Sequence, residues 1–380
     1  MKKDAIMICY TGRKGGGALD SYEIAKALVS NGETVIAVVS RYIENLEMWR
    51  KIGFEKLIEI ETYVDKVSFV KNTLLFPFNQ GPQITNECRL YNIVAIYCPM
   101  ISFWTHSIFK RFPISLKLLA VHDPVAHSGA NSLIDRYYHW VYTKADIIIV
   151  HSYKFVEQLV GIYKKVRYIP LGEHDLYKKV DTKKSIVSYP SGTTNFVFFG
   201  RITPYKGLDV LAEAYHILSS KYGGQITLTV VGNGDFSHYA KAYSELKDVV
   251  VVNRWISDDE VESVFTGNNL VCVCPYKDAT QSGVVLTAYG YGVPVIASNT
   301  GGIEEQVENG ITGYLVEPNS VVELCETMER FITNSDVFEQ MKRGIDKYLN
   351  SISWKSSAMT IMELVRETNS DQKSFDTYCK

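Results

Sequence analysis

The chain has 380 residues, more than one hydrophobic core usually organises, so two domains of ordinary size are the first expectation. Hydrophobic residues make up 46%, enough to fill both cores, and a net charge of −2 argues against wholesale nucleic-acid binding while leaving room for a local anion site. No stretch approaches the roughly eighteen apolar residues that a membrane-spanning helix needs. Seven cysteines, an odd number with no C-x-x-C pair, sit mostly in apolar runs and read as reduced, buried thiols of a cytoplasmic protein, which argues against zinc.

The alternation of strand and helix begins at once. Ala5 to Tyr10 reads as the first strand, because Asp4 interrupts the apolar run and leaves it too short for a signal sequence. A helix over Ala18 to Ser30 follows, with Ile24, Ala27 and Leu28 on one face, and then a strand over Thr34 to Ser40. Ile93 to Cys98, Leu116 to Val121 and Asp146 to Val150 are short, β-branched runs bounded by turn residues, and Arg167 to Pro170 reads as one more short strand. Between Gly172 and Asn195 periodic apolar residues give way to DTKKS and YPSGTTN, which marks a boundary between domains.

The second half repeats the theme. Strands are expected at Phe196 to Phe199, Ile226 to Val231, Val249 to Val252, Leu270 to Val273 and Val295 to Ala297, with a helix over Gly207 to Ser220. Trp354 to Thr368 is again helical in pattern. Such alternation makes the fold class α/β, with two Rossmann-like domains whose parallel sheets face each other across a cleft.

In FVFFGRITPYKGLDVLAEAY an aromatic strand ends at Gly200, and Arg201 and Lys206 stand on the loop at its carboxyl end. Open α/β sheets place their ligands there. Glycine-rich loops follow other strands: Gly15, Gly16 and Gly17 in the first half, Gly232 to Gly234 in the second, and Gln281, Ser282 and Gly283 before an apolar segment. Each loop alone is ordinary turn chemistry; together with the two cations they describe an anion site in which free N–H groups and positive side chains offset lost hydration. A diphosphate fits that description, with Arg gripping two oxygens and Lys supplying a point charge. No acidic cluster of the Mg²⁺-binding type accompanies them, because Asp258, Asp259 and Glu260 read as a helix start capped by Ser257. No metal ligand set is therefore expected.

These motifs resemble a known family. FxGRxxxxKG, VGNGD after a strand, and GVPVIASNTGGIEEQVENGITGYLVEP are similar to the donor half of retaining GT-B glycosyltransferases, glycosyltransferase family 4 in particular. TQSG together with HDPVAHSG resembles a bacterial polysaccharide-building subgroup. The resemblance implies an acceptor domain at 1–172, with a terminal helix at about 355–380 packing back on it, and a donor domain at 173–354. It implies hexosyl transfer from a UDP- or GDP-sugar to a glycan or lipid-linked saccharide during surface polysaccharide synthesis, without a metal or other cofactor.

By the same resemblance, Arg201 and Lys206 hold the diphosphate, and His122 touches the transferred sugar. Gly16, Gly17, Gly200, Gly232, Gly234, Arg254, Trp255, Gln281, Ser282, Gly283 and Glu305 contribute to donor binding, Arg254 and Trp255 through backbone near the base. Asp123 and His127 lie on the acceptor side. One departure stands out. Many relatives carry two Glu residues eight positions apart before the PVIAS strand; this chain has Ala279 and Thr287 there. A donor-binding partner that has lost its chemistry is therefore the alternative. An NAD-dependent oxidoreductase fits less well, because GRKGGGALD lacks G-x-G-x-x-G spacing and no acid ends the second strand. Phe103, Trp104, Phe109 and Phe112, beside Lys110 and Arg111, read as core packing of a βα unit, with a peripheral membrane contact at the inner face as the competing reading.

Overall fold

Parallel strands covered on both faces by helices must be apolar along their whole length, and the most buried segments of this protein are of that kind. In the computed structural model, which describes residues 2–122, 124, 132–173 and 184–378, the chain divides into two compact units, Met1–Gly172 with Ser353–Lys380, and Glu173–Ile352.

The first unit holds β1 (Lys3–Tyr10), β2 (Val35–Ser40), β3 (Lys56–Ile60), β4 (Tyr91–Cys98), β5 (Leu116–Ala120), β6 (Ile147–Val150) and β7 (Val166–Tyr168). They form one sheet in the order β3-β2-β1-β4-β5-β6-β7, and each neighbouring pair is parallel. The second unit holds β8 (Thr194–Phe199), β9 (Ile226–Gly232), β10 (Val249–Asn253), β11 (Leu270–Cys274), β12 (Val295–Ser298) and β13 (Gly313–Val316), ordered β10-β9-β8-β11-β12-β13 and parallel throughout. Central strands such as VIAVVS of β2 and LVCVC of β11 are buried at every residue. The doubly wound α/β class predicted from the alternation is what forms.

Two strands escape periodicity. β3 (KLIEI) and β13 (GYLV) lie at sheet edges, where partial exposure admits Lys56 and Glu59 in one case and a half-buried Tyr314 in the other. The helix Trp354–Tyr378 belongs to the first unit. Ser357 Oγ donates to Pro170 O at 2.8 Å, Asn31 Nδ2 to Lys355 O at 3.2 Å, and Arg366 pairs with Glu33 at 2.7 Å. Among the described residues no helix is long and apolar enough to cross a membrane.

Candidate functional site

In each sheet the connections run one way from the first strand and then reverse. Ligands of open α/β sheets sit outside the carboxyl ends of the two strands flanking that reversal. The strand order puts it between β8 and β11 in the second unit, and between β1 and β4 in the first.

At the β8/β11 point two loops are tied together. Lys277 N–H donates to Tyr205 O at 2.7 Å, and Gly207, at φ +70°, lies so near that a Cβ would come within 1.8 Å of Pro275 O. Only glycine accommodates both the left-handed backbone and that approach. Lys206 is thereby held at 9% exposure, its Nζ 3.4 Å from the ring centroid of the fully buried Tyr276. An aromatic face attracts a desolvated ammonium through its quadrupole and leaves the positive charge in place. Arg201, on the same loop, is exposed. Ser282 stands at the N-cap position of the helix Gly283–Gly290 without a side-chain capping bond, and the first-turn N–H groups, which have no partner within the helix, suit an anion. Gln306 grips Ser282 twice, accepting from its N–H at 2.8 Å and donating to its O at 3.2 Å, while Tyr276 Oη lies 3.3 Å from Ser282 Oγ. Glu305 precedes Gln306 on the short helix Ile303–Gln306 and is half-buried.

The glycines after β9 have a packing role. A Cβ on Gly232 would meet Gly200 O at 1.7 Å, so these two residues, both assigned to donor binding, are required where β8 and β9 end side by side. Gly234 likewise faces Ile202 O.

For Arg254 the side chain is already engaged. Its guanidinium makes a two-point bond to Glu260, at 2.7 and 2.8 Å, and this pairing holds Glu260 down at about 2 despite the opposing effect of burial. The Arg254 guanidinium is therefore already taken within the second unit. Trp255, beside it, is 39% exposed. Ser257 and Glu260 form the capping box expected of SDDEV. Ala279 and Thr287, at the two Glu positions of the resembled family, are buried, and Thr287 Oγ1 donates to Gly283 O.

In the first unit the glycine loop is less open than its sequence implies. Gly15, at φ +88°, starts the helix Gly16–Ser30, but its N–H donates to Glu44 Oε1 at 2.9 Å, so this donor is not available to an oxyanion. Gly16 faces open space, and a Cβ on Gly17 would strike Met100. Glu44 lies beyond β2, and nothing in the sequence marks it as a partner of this loop.

His122 leaves β5 half-buried, its Nε2 donating to Pro99 O at 2.9 Å and its Nδ1 3.9 Å from Asp20 Oδ2. The His151 ring centroid is 4.7 Å away. Burial, reinforced by the neighbouring His122 ring, pushes His151 down to about 3, so it is neutral, with Nδ1–H on Ile169 O at 2.7 Å. Asp123 and His127 lie outside the described residues. Trp104 and Phe109 are each 2% exposed, so these aromatics pack in the core.

Sequence reasoning missed a cavity of about 380 Å³ at the β1/β4 point, between the loop Thr11–Lys14 after β1 and the segment Met100–Trp104 after β4. The aromatic residues of 101–104 were the available signal, but their shared destination depends on sheet order. Tyr276 and Gln306 were likewise passed over. Among the described residues, no three His, Cys, Asp or Glu side chains gather closely enough to hold a metal ion.

Comparison with known proteins bears on the second unit first. Residues 193–334 match the profile of the family described as Glycosyl transferases group 1. The β8/β11 site lies inside the matched residues. An uncharacterized glycosyltransferase of Methanocaldococcus jannaschii is 26% identical over 260 residues, 66% of this chain and 68% of its own length. A D-inositol 3-phosphate glycosyltransferase of Saccharomonospora viridis is 24% identical over 247 residues, 60% of this chain and 57% of its own. The matched stretch spans 40 to 68% of the length of the first such curated relatives. The crystal structure of Anabaena Alr3699/HepE in complex with UDP and glucose superposes with a TM-score of 0.72 at 15% identity, covering 96% of this chain and 99% of that one. At that identity the likeness is one of fold, that of GT-B proteins built from two Rossmann-like domains.

Proposed function

We propose that the chain is a retaining glycosyltransferase of the family 4 type, moving a hexosyl unit from a nucleotide-diphosphate sugar to a glycan or lipid-linked saccharide in surface polysaccharide synthesis. The observation that carries this reading is Lys206, desolvated over Tyr276 at the topological reversal of the group 1 region, beside Arg201 and the start of the helix Gly283–Gly290. A diphosphate leaving group develops charge as the glycosidic bond breaks, and positive groups already in place lower the barrier most where water is excluded. The acceptor hydroxyl attacks from the face that the diphosphate leaves, and the departing phosphate takes its proton. Charge neutralisation is assigned to the two cations, with no divalent ion. His122 is proposed as a contact to the transferred sugar, and Gly16, Gly17, Gln281 and Glu305 as further donor contacts. The UDP and glucose of the HepE complex support a UDP-hexose donor.

A peripheral membrane contact is better supported by the helix Lys66–Leu75 than by residues 103–112. Val67, Val70 and Leu74, with Phe78 in the following turn, are 77%, 57%, 69% and 76% exposed and recur at i, i+3, i+7 and i+11. Lys66 and Lys71 are exposed beside them, and the helix has no acidic residue, a pattern that fits anionic lipid.

Incubation of the purified chain with labelled UDP- and GDP-hexoses tests the enzymatic reading. Slow donor hydrolysis that retains anomeric configuration and requires Lys206 is expected. Donor binding without turnover would favour the alternative, an inactive nucleotide-sugar-binding partner, which Ala279 and Thr287 at the two Glu positions motivate.

A further inference from the structure

The cavity at the β1/β4 reversal has the construction of a ligand site. Its walls include Tyr63, Phe69, Phe103, Trp104 and Tyr138, and its volume of about 380 Å³ falls within the roughly 300–1,000 Å³ of small-molecule sites. Aromatic faces pack against the C–H faces of a pyranose ring and leave its hydroxyls to be satisfied at the rim.

Three of the residues that line it each carry a buried polar atom with no hydrogen-bond partner among the described residues: Thr11 Oγ1, Arg13 Nε and Trp104 Nε1. Thr11 is 4% exposed and Trp104 2%. Native proteins keep few such atoms, so three on the walls of one cavity point to groups that a ligand completes. Thr11 can donate or accept, whereas the other two only donate.

The charge is specific. The Arg13 guanidinium lies 4.7 Å above the Tyr63 ring centroid, and Lys14 also lines the cavity. Asp65, a carboxylate within electrostatic reach of Arg13, is occupied in capping its own helix, where it accepts from Ser68 N–H at 2.7 Å and from Ser68 Oγ at 2.8 Å. Asp20 and Glu44 act on Tyr10 from the β1 side of the cavity, so the match to an anion carried on a sugar ring rests on the Arg13 guanidinium set against the aromatic wall.

We propose that this cavity binds an acidic saccharide unit of the acceptor, its ring on the aromatic wall and its carboxylate or phosphate on Arg13. That the saccharide belongs to an acceptor rests on the glycosyltransferase reading, but the chemistry of the cavity is tested without turnover. The intact chain is titrated with methyl glucuronide, glucose 6-phosphate, neutral methyl glucoside and inorganic phosphate, followed by saturation-transfer NMR and calorimetry. At least one acidic sugar should bind about tenfold tighter than the glucoside, as expected for a charge-assisted hydrogen bond, and the preferred one tells carboxylate from phosphate. Arg13→Gln should abolish the preference and Arg13→Lys should restore part of it, whereas Phe103→Ala should weaken every sugar. Equal binding of acidic and neutral sugars would overturn the proposal, and so would inorganic phosphate binding as tightly as the acidic sugars. A UDP-induced thermal shift on the same samples reports on the other site. Its absence would count against the glycosyltransferase reading and leave saccharide binding in the cavity unaffected.

Discussion

Replacing Lys206 by Met removes one charge and keeps the volume of the side chain. Because Lys206 is only 9% exposed, its attraction for a phosphoryl oxygen about 4 Å away is set by an effective dielectric near 20 and amounts to about 4 kcal/mol, against about 1 kcal/mol in open water. That part of the interaction which grows in the transition state should cost about 10² to 10³ in turnover. The fold should tolerate the change, since a thioether packs well on the Tyr276 ring that now faces the ammonium. Arg201 is exposed, so Arg201→Ala should cost nearer tenfold. Donor hydrolysis with UDP-hexose at saturating concentration measures turnover, and thermal denaturation of the same samples excludes unfolding. Lys206→Met turning over within threefold of wild type would refute the argument, and so would Arg201→Ala being the more damaging change.

Gly207→Ala places a Cβ 1.8 Å from Pro275 O at a left-handed φ, and should lower stability in urea denaturation by about 2 kcal/mol or more. His151 binds its proton at about 3 when folded and near 6.5 when unfolded, so its contribution is complete above pH 6.5 and falls as pH drops toward 3. Lowering pH from 7.5 to 5 should therefore cost about 2 kcal/mol through this residue, with His151→Gln flattening the profile; an NMR titration of His151 near 6.5 would show the prediction to be wrong. Val70→Glu with Phe78→Glu should abolish co-sedimentation with anionic vesicles at low salt, and wild-type protein that stays in the supernatant would remove the membrane contact altogether.

The residues fixed what depends on neighbours in sequence. Near-continuous apolar runs such as Val35–Ser40 and Leu270–Cys274, buried at every residue, fit between two helical layers, so the α/β class could be read directly. FFGRITPYKG placed two cations at a strand end for the same local reason. Edge strand β3 was hidden because half-exposed positions tolerate charge and break the apolar pattern, and β13 because it is only four residues long and starts on a glycine. Strand order is a non-local property. Only the folded sheets show that loops seventy or more residues apart meet at β8/β11 and at β1/β4, setting Lys206 on Tyr276 and Arg13 opposite Trp104. Pairing also decided which charges were already taken: Glu260 engages Arg254, and Glu44 engages the N–H of Gly15, contacts that no spacing in the sequence encodes.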